Sequence, residues 1–178
     1  MNLSIPFPQS YWVEPQMLCA GHYPGDRDAD VRRQKIAGLV QCGIRRVINL
    51  IPESETGRNG EPFVPYQPDL EVFARDAGRS VDCLRMGFPD GGVPSTNLMS
   101  AILDVIDSSF AAREPVYVHC WGGHGRTSTV IGCYLVRHGT PPDVAIDWIL
   151  GWRANLPRNW FPFQNEQQAF LEAWKAKQ

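Results

Sequence analysis

One cysteine, three glycines and one arginine fall inside the seven residues 120–126, in the stretch HCWGGHGRTS directly behind the apolar run PVYVHC. Glycine allows successive backbone N–H groups to turn toward one point, which makes an anion-binding nest. A helix starting near Arg126 aims its N-terminus at that same point, where the dipole favours negative charge. The guanidinium of Arg126 adds a planar fork that matches two oxygens of a tetrahedral oxyanion. The group suited to this pattern is a phosphate-like dianion. It would be held by Trp121, Gly122, Gly123, His124, Gly125 and Arg126, with the sulfur of Cys120 beneath it. The same field acts on the thiol. A cysteine at a helix N-terminus beside a cation ionises at roughly pH 3.5–7.5 rather than about 8.5, so Cys120 is expected to be a thiolate nucleophile. Thr127 follows the arginine and is expected to donate its hydroxyl hydrogen bond to that sulfur. His119 reads as a buried orienter of the loop and not as a base. Trp121 and His124 stand where they can contact substrate at the rim or simply pack.

Such a loop needs a rigid frame, and the rest of the chain reads as one. SYWVEP and MLCAGHY predict two short strands, a hairpin, near the N-terminus. DADVRRQKIAGLVQCG places apolar residues at 31, 36, 39 and 40, a helical spacing stopped at Gly43. RRVINLI, SVDCLRM and PVYVHC read as further buried strands. DLEVFARDAG reads as a short helix. TNLMSAILDVIDSSFAAR reads as a long helix capped by Ser95, and TSTVIGCYLVRHG as the helix behind the glycine turn. PPDVAIDWILGWRANL and FQNEQQAFLEAWKAKQ add two helical segments at the C-terminal end. Strands alternating with helices from residue 30 to 140 predict an α/β fold: a mostly parallel central sheet flanked by helices on both faces, with a C-terminal helical cluster. No break in composition divides residues 1–178, so a single domain is expected. In a sheet of this kind ligands bind beyond the carboxyl ends of the strands, which is where Cys120 sits.

Composition bounds the function classes. Hydrophobic residues make up 43% and charged residues 20%, with a formal net charge of −2. That balance supports no general nucleic-acid or polyanion binder. The five cysteines (19, 42, 83, 120 and 133) are odd in number and contain no C-x-x-C pair, against a disulfide framework or a zinc site. The first residues carry neither a basic nor an apolar leader pattern, and no stretch approaches eighteen consecutive apolar residues. A cytoplasmic setting, where a free thiol survives, is the expectation. Nothing in the sequence signals an oligomeric state.

HCWGGHGRTS resembles the His-Cys-x5-Arg-Ser/Thr signature of the cysteine-dependent protein tyrosine phosphatase superfamily, and the chain is most similar to its compact, bacterial-type dual-specificity group. RRVINL, FPDGGVPS and VYVHCWGGHGRTSTVIGCYLVRHG carry the resemblance over most of residues 45–139, and YWVEPQMLCAGHYPG is similar to the N-terminal strands of bacterial members. The resemblance implies a protein tyrosine phosphatase-like fold and a two-step phosphatase with no cofactor and no metal. The implied substrate is a phosphorylated protein or a small phosphomonoester. It also implies an aspartate on a loop upstream of the cysteine as the proton donor. Asp90 in GFPDGGVP occupies such a loop, whereas Asp76, Asp82 and Asp104 fall on predicted regular elements. A carboxyl group beside a phosphate dianion holds its proton more readily. Some members place a glutamine over the hydrolytic water. Gln167 in NEQQAFLEAW stands there, with Gln164 and Gln168 as neighbours in sequence. Lipid-directed members carry lysine where His124 stands. The resemblance implies phosphotyrosine, with phosphoserine or phosphothreonine beside it, as the expected substrate class. Phosphoinositides, inositol phosphates and a silent phospho-binding module are the alternatives. Cys83 and Cys133 are candidates for a disulfide with an oxidised Cys120, a pairing that spacing leaves open.

Overall fold

The structure, a computed structural model, describes residues 4–57, 59–156 and 161–174. β1 (Ser10–Glu14) and β2 (Leu18–Gly21) form an antiparallel hairpin whose register shifts between Trp12 and Glu14. β3 (Arg46–Asn49), β4 (Asp82–Arg85) and β5 (Val116–His119) join β2 in parallel, giving the strand order β1-β2-β5-β3-β4. β5 is thus the central strand, with β2 on one side and β3 on the other. Its four residues are all buried, as expected of a parallel strand covered on both faces.

The period of two along β5 divides the core. Val116 and Val118 face a cluster built with α3 (Thr96–Ala111), α4 (Gly125–Arg137), α5 (Pro142–Arg153) and α6 (Asn165–Ala173). Tyr117 points the other way, into a cluster with α1 (Ala29–Gln41) and α2 (Gln67–Asp76). The expected mostly parallel sheet with helices on both faces is therefore what forms. α4 is buried along its whole length from Arg126 to Arg137, because the sheet, α3, α5 and α6 surround it. A helix enclosed in this way is a rigid mount for whatever precedes it.

Two local expectations are corrected. Val31 does not join the apolar stripe of α1 but is 37% exposed. Lys35 takes an inward position instead, its ammonium over the Phe7 ring at 5.9 Å and paired with Asp26 at 2.9 Å. The helix behind the glycine turn also starts two residues before Thr127, at Gly125, because the loop runs into it without an intervening cap. The predicted C-terminal helix is present over Asn165–Ala173; its continuation through residues 175–178 lies outside the described residues. Among the described residues no helix is long and apolar enough to cross a membrane.

Since β2, β3, β4 and β5 run parallel, their carboxyl ends open on one edge. Loops 22–28, 50–66, 86–95 and 120–124 meet there. The third of these loops ends where Ser95 accepts a hydrogen bond from the Leu98 amide at 3.1 Å and starts α3. Ser95→Ala is expected to cost about 1 kcal/mol, read as a lower urea midpoint with an unchanged slope.

Candidate active site

Cys120 follows the last residue of β5 and is 3% exposed. Its amide donates to Thr127 Oγ1 at 2.9 Å, so the first turn of α4 is fastened to the cysteine itself. This contact is made in addition to the one expected between the Thr127 hydroxyl and the sulfur. The geometry fixes the threonine oxygen on the Cys120 amide, which leaves its hydroxyl hydrogen available to donate. Gly123 has φ of 62°, and a Cβ there would lie 2.5 Å from the Gly21 carbonyl carbon. A Cβ on Gly125 would lie 2.5 Å from Gln167 Oε1. These two glycines let the loop pass between β2 and α6, and both approaches exclude a side chain.

His119 is fully buried behind the loop. Its Nδ1 lies 3.0 Å from the Cys120 carbonyl and its Nε2 lies 2.6 Å from the Tyr66 hydroxyl. A carbonyl only accepts, so Nδ1 carries the proton, and Nε2 accepts from Tyr66. Burial drives the imidazole down to about 3. His119 is therefore a neutral strut between loop 50–66 and the cysteine, with no proton to exchange at neutral pH. Tyr66 is itself fully buried and packs edge-on against both Tyr23 and His119.

Arg126 is 1% exposed. Its Nη1 and Nη2 donate to the two carboxylate oxygens of Glu55 at 2.6 and 2.9 Å, and Nη1 also reaches the carbonyl oxygen of Phe88 at 3.2 Å. Burial works against its charge, yet the hydrogen bonds it donates to Glu55, together with the negative charges of Cys120, Glu55 and Asp90, outweigh it and hold the guanidinium more firmly protonated than usual. Nε is buried and has no hydrogen-bond partner among the described residues. An orphaned guanidinium donor is costly, and an oxyanion in the loop would satisfy it. Glu55 was invisible in the sequence, where PESETGRNGEP reads only as a polar loop. A carboxylate 71 residues away from Arg126 in the chain carries no local signal.

Asp90 lies 3.1 Å from Arg126 Nη2, its side chain 80% exposed. The other aspartates weighed for this place are elsewhere: Asp82 pairs with Arg46, and Asp104 with Arg137. Gln167 is fully buried; its Nε2 donates to the Gly92 carbonyl oxygen at 3.0 Å and its Oε1 accepts from the Gln164 amide at 3.0 Å. It thus ties the loop of Asp90 to α6 while its amide rests against Gly125. Gln168 points away, bonded to Glu172. Arg153 is a second buried arginine, 2% exposed, that donates to the Gly123 carbonyl oxygen and to His124 Nδ1. It too went unread in the sequence, inside a segment taken simply as helix. Cys83 and Cys133 are free thiols, and burial pushes Cys83 up to about 12.

A cavity of about 920 Å³ opens above Cys120. Phe7, Pro8, Val31, Leu156 and Phe161 line it on the apolar side; His22, Lys35, Asp90, Trp121 and His124 contribute polar or aromatic groups. Burial acts to raise Asp26, but the hydrogen bonds from Lys35 and the Asp28 amide outweigh it and hold this carboxyl below its ordinary range.

A family model described as "PTP-SAK: Swiss Army Knife protein, DSP-PTPase phosphatase domain" matches residues 8–168. The chain belongs to this family of DSP-PTPase phosphatase domains. Among curated relatives, the dual specificity protein phosphatase CDC14B of Mus musculus is 43% identical over 90 residues, which is 44% of this chain and 18% of the mouse protein. The protein tyrosine phosphatase domain-containing protein 1 of Danio rerio is 36% identical over 102 residues, 53% of this chain and 13% of the fish protein. The similarity therefore spans less than a fifth of either relative. Among solved structures, the DSP-PTPase domain superposes on Tk-PTP in its active form with a TM-score of 0.70 at 20% identity, covering 95% of this chain and 97% of that one. PTPMT1 in complex with PI(5)P gives 0.69 at 18% identity, covering 93% and 94%. The core catalytic domain of the PP-IP phosphatase SIW14 from S. cerevisiae gives 0.63 at 19%, covering 96% and 88%. At such identities the likeness shows the fold.

The neutral, buried His119 sets a pH dependence of stability. Below pH 6.5 the unfolded chain takes up a proton that the folded imidazole refuses until about pH 3. Its contribution is thus complete above 6.5 and falls by about 1.4 kcal/mol per pH unit below it. Denaturation midpoints at pH 7 and pH 5 should differ by that slope, and His119→Asn should flatten it.

Proposed function

We propose that this domain hydrolyses phosphomonoesters through a phosphocysteine intermediate, with phosphotyrosine on proteins as its principal substrate class and phosphoserine or phosphothreonine beside it. The observation that carries this reading is the meeting of Asp90, from the loop after β4, with the segment that holds the buried Cys120 and Arg126: Asp90 lies on that guanidinium at 3.1 Å, and its Nε is unpartnered among the described residues. A nucleophile, an oxyanion clamp and an acid are the parts that transfer of a phosphoryl group requires.

In the first step Cys120 Sγ attacks phosphorus in line with the leaving oxygen. The S–P bond forms, the P–O bond breaks, and Asp90 gives its proton to the departing oxygen. The amides of residues 121–126 and the Nε–Nη2 edge of Arg126 hold the remaining oxygens, an arrangement that neutralises charge where it develops. Entry of phosphate onto this edge displaces Asp90 from Arg126 and turns it toward the leaving group. In the second step water attacks phosphorus, its proton passes to Asp90, and the S–P bond breaks to restore the thiolate, with Thr127 stabilising it. Gln167, with its amide held by Gly92 and Gln164, would have to exchange one of these contacts to orient that water. The apolar side of the cavity suits an aryl ring above the phosphate, and the large burial area it offers favours phosphotyrosine over a short alkyl ester.

A second reading is a phosphoinositide or inositol phosphate substrate, favoured by the likeness to PTPMT1, whose structure holds PI(5)P, and by a cavity of about 920 Å³. A phosphate-release panel of phosphotyrosine and phosphothreonine peptides and inositol lipids separates the two. Turnover confined to the lipids would overturn the protein substrate. Cys120→Ser should abolish release in every arm; full turnover by that variant would refute the mechanism. Asp90→Asn should slow alkyl phosphates by about 10²–10⁴ and aryl phosphates much less, because an aryl leaving group needs less protonation. Equal losses would remove Asp90 from the acid role.

A further inference from the structure

Asp90 stands on a single tight turn. The Gly92 amide closes that turn on the Pro89 carbonyl oxygen at 3.1 Å, and Gly91 at its corner has φ of 73°, a conformation that glycine adopts without strain. Asp90 projects from the other corner, its side chain 80% exposed and within reach of Arg126. An exposed turn usually belongs to the least stable part of a fold. Here both of its feet are held. On the near side the Phe88 carbonyl oxygen accepts from Arg126 Nη1 at 3.2 Å, and the Phe88 amide donates to the Leu50 carbonyl oxygen at 3.3 Å. On the far side the Gly92 carbonyl oxygen accepts from Gln167 Nε2 at 3.0 Å.

Gln167 is itself firmly mounted. It is fully buried, and its Oε1 accepts from the Gln164 amide at 3.0 Å, so the side-chain amide is fixed from both ends. A Cβ on Gly125 would lie 2.5 Å from that Oε1, which puts the same amide against the phosphate loop. The helix that carries it is seated on α4: a Cβ on Gly132 would lie 2.7 Å from Leu171 Cδ2. One side chain thus refers the turn of Asp90 to the helix that ends the phosphate loop.

We propose that Gln167 is a positioning residue for the proton donor. Its Nε2–H pins the Gly92 carbonyl, so that Asp90 passes from Arg126 to the leaving oxygen by side-chain rotation on a turn that stays in place. The amide keeps both of its contacts throughout, and its effect falls on the first step. This assignment rests on the phosphatase reading for its purpose, whereas the pin is a property of the resting protein.

The test uses the whole chain. Gln167→Glu keeps the length and the acceptor for the Gln164 amide and loses the donor to Gly92; Gln167→Met removes both contacts without adding charge. With ¹⁵N label, hydrogen exchange of the Gly92 amide should be slow, and it should quicken about tenfold in either variant. Unchanged exchange at Val130, buried in α4, marks an intact fold. Turnover is compared between phenyl phosphate and para-nitrophenyl phosphate, whose leaving group needs less protonation. Since kcat/KM covers only the steps up to cleavage of the P–O bond, it should fall about tenfold or more on the phenyl ester and much less on the nitrophenyl ester. The added charge in Gln167→Glu acts on both esters alike and leaves their difference unaltered. In the Asp90→Asn background Gln167→Met should cost nothing further.

Fast Gly92 exchange in the unaltered chain overturns the pin, and that observation needs no variant to fold. Unchanged Gly92 exchange in the folded variants overturns it equally. Equal losses on the two esters, or losses that add fully to those of Asp90→Asn, overturn the positioning role. So does a lower kcat with unchanged kcat/KM, the result expected of a residue that serves only the hydrolytic water. Absence of turnover in the unaltered chain, with Gly92 exchange slow, counts against the phosphatase reading and leaves the pin standing.

Discussion

The buried charge of Arg126 is the constraint on which the site depends. A guanidinium removed from water is tolerated only where its donors are matched, and Glu55 matches two of them in a bidentate pair. That pair sets the plane of the fork and leaves the Nε edge free for an anion. It also explains why the loop after β3 must be well placed: a displaced Glu55 would leave a cation buried and unpaired. Phe88, offering its carbonyl oxygen to the same Nη1, draws the loop after β4 into register with the other two. One side chain thus gathers three loops that are distant in sequence.

Behind that charge stands the parallel sheet. β5 is central, and the strands beside it end at the same edge. The cradle at the end of β5 therefore lies between the turn after β2 and the loop after β3. The close approach of Gly123 to Gly21, and the neutral His119 strut to Tyr66, are both products of that adjacency. The enclosed α4 contributes the other half, since the loop ends in a helix that cannot shift without disturbing α3, α5 and α6. Preorganisation of this kind is what lets fixed amides and a fixed guanidinium stabilise charge without rearranging.

The two arginines divide the work. Arg126 has its charge balanced by the carboxylates of Glu55 and Asp90, whereas Arg153 lies beneath the loop with no carboxylate partner among the described residues. The apolar side of the cavity, with Phe7 and Phe161, then limits what can be carried on the phosphate.

The sequence alone determined the seat. The glycines, Cys120, Arg126 and Thr127 lie within eight residues, so chain connectivity brings them together in any fold that follows the strand with a helix. The strands and helices were equally legible, because apolar periodicity and turn residues are local signals. Val31 was misjudged, since a lysine whose ammonium lies over the Phe7 ring can take an inward helix position that an aliphatic residue leaves. Only the tertiary structure decided which distant groups complete the seat. Glu55 on Arg126, Tyr66 on His119 and Arg153 on Gly123 are contacts between segments 30 to 71 residues apart. A polar residue in a loop, or an arginine in a helix, carries no mark of the partner it will meet. That partner is chosen by strand order and helix packing, which set long-range distances that no local pattern encodes.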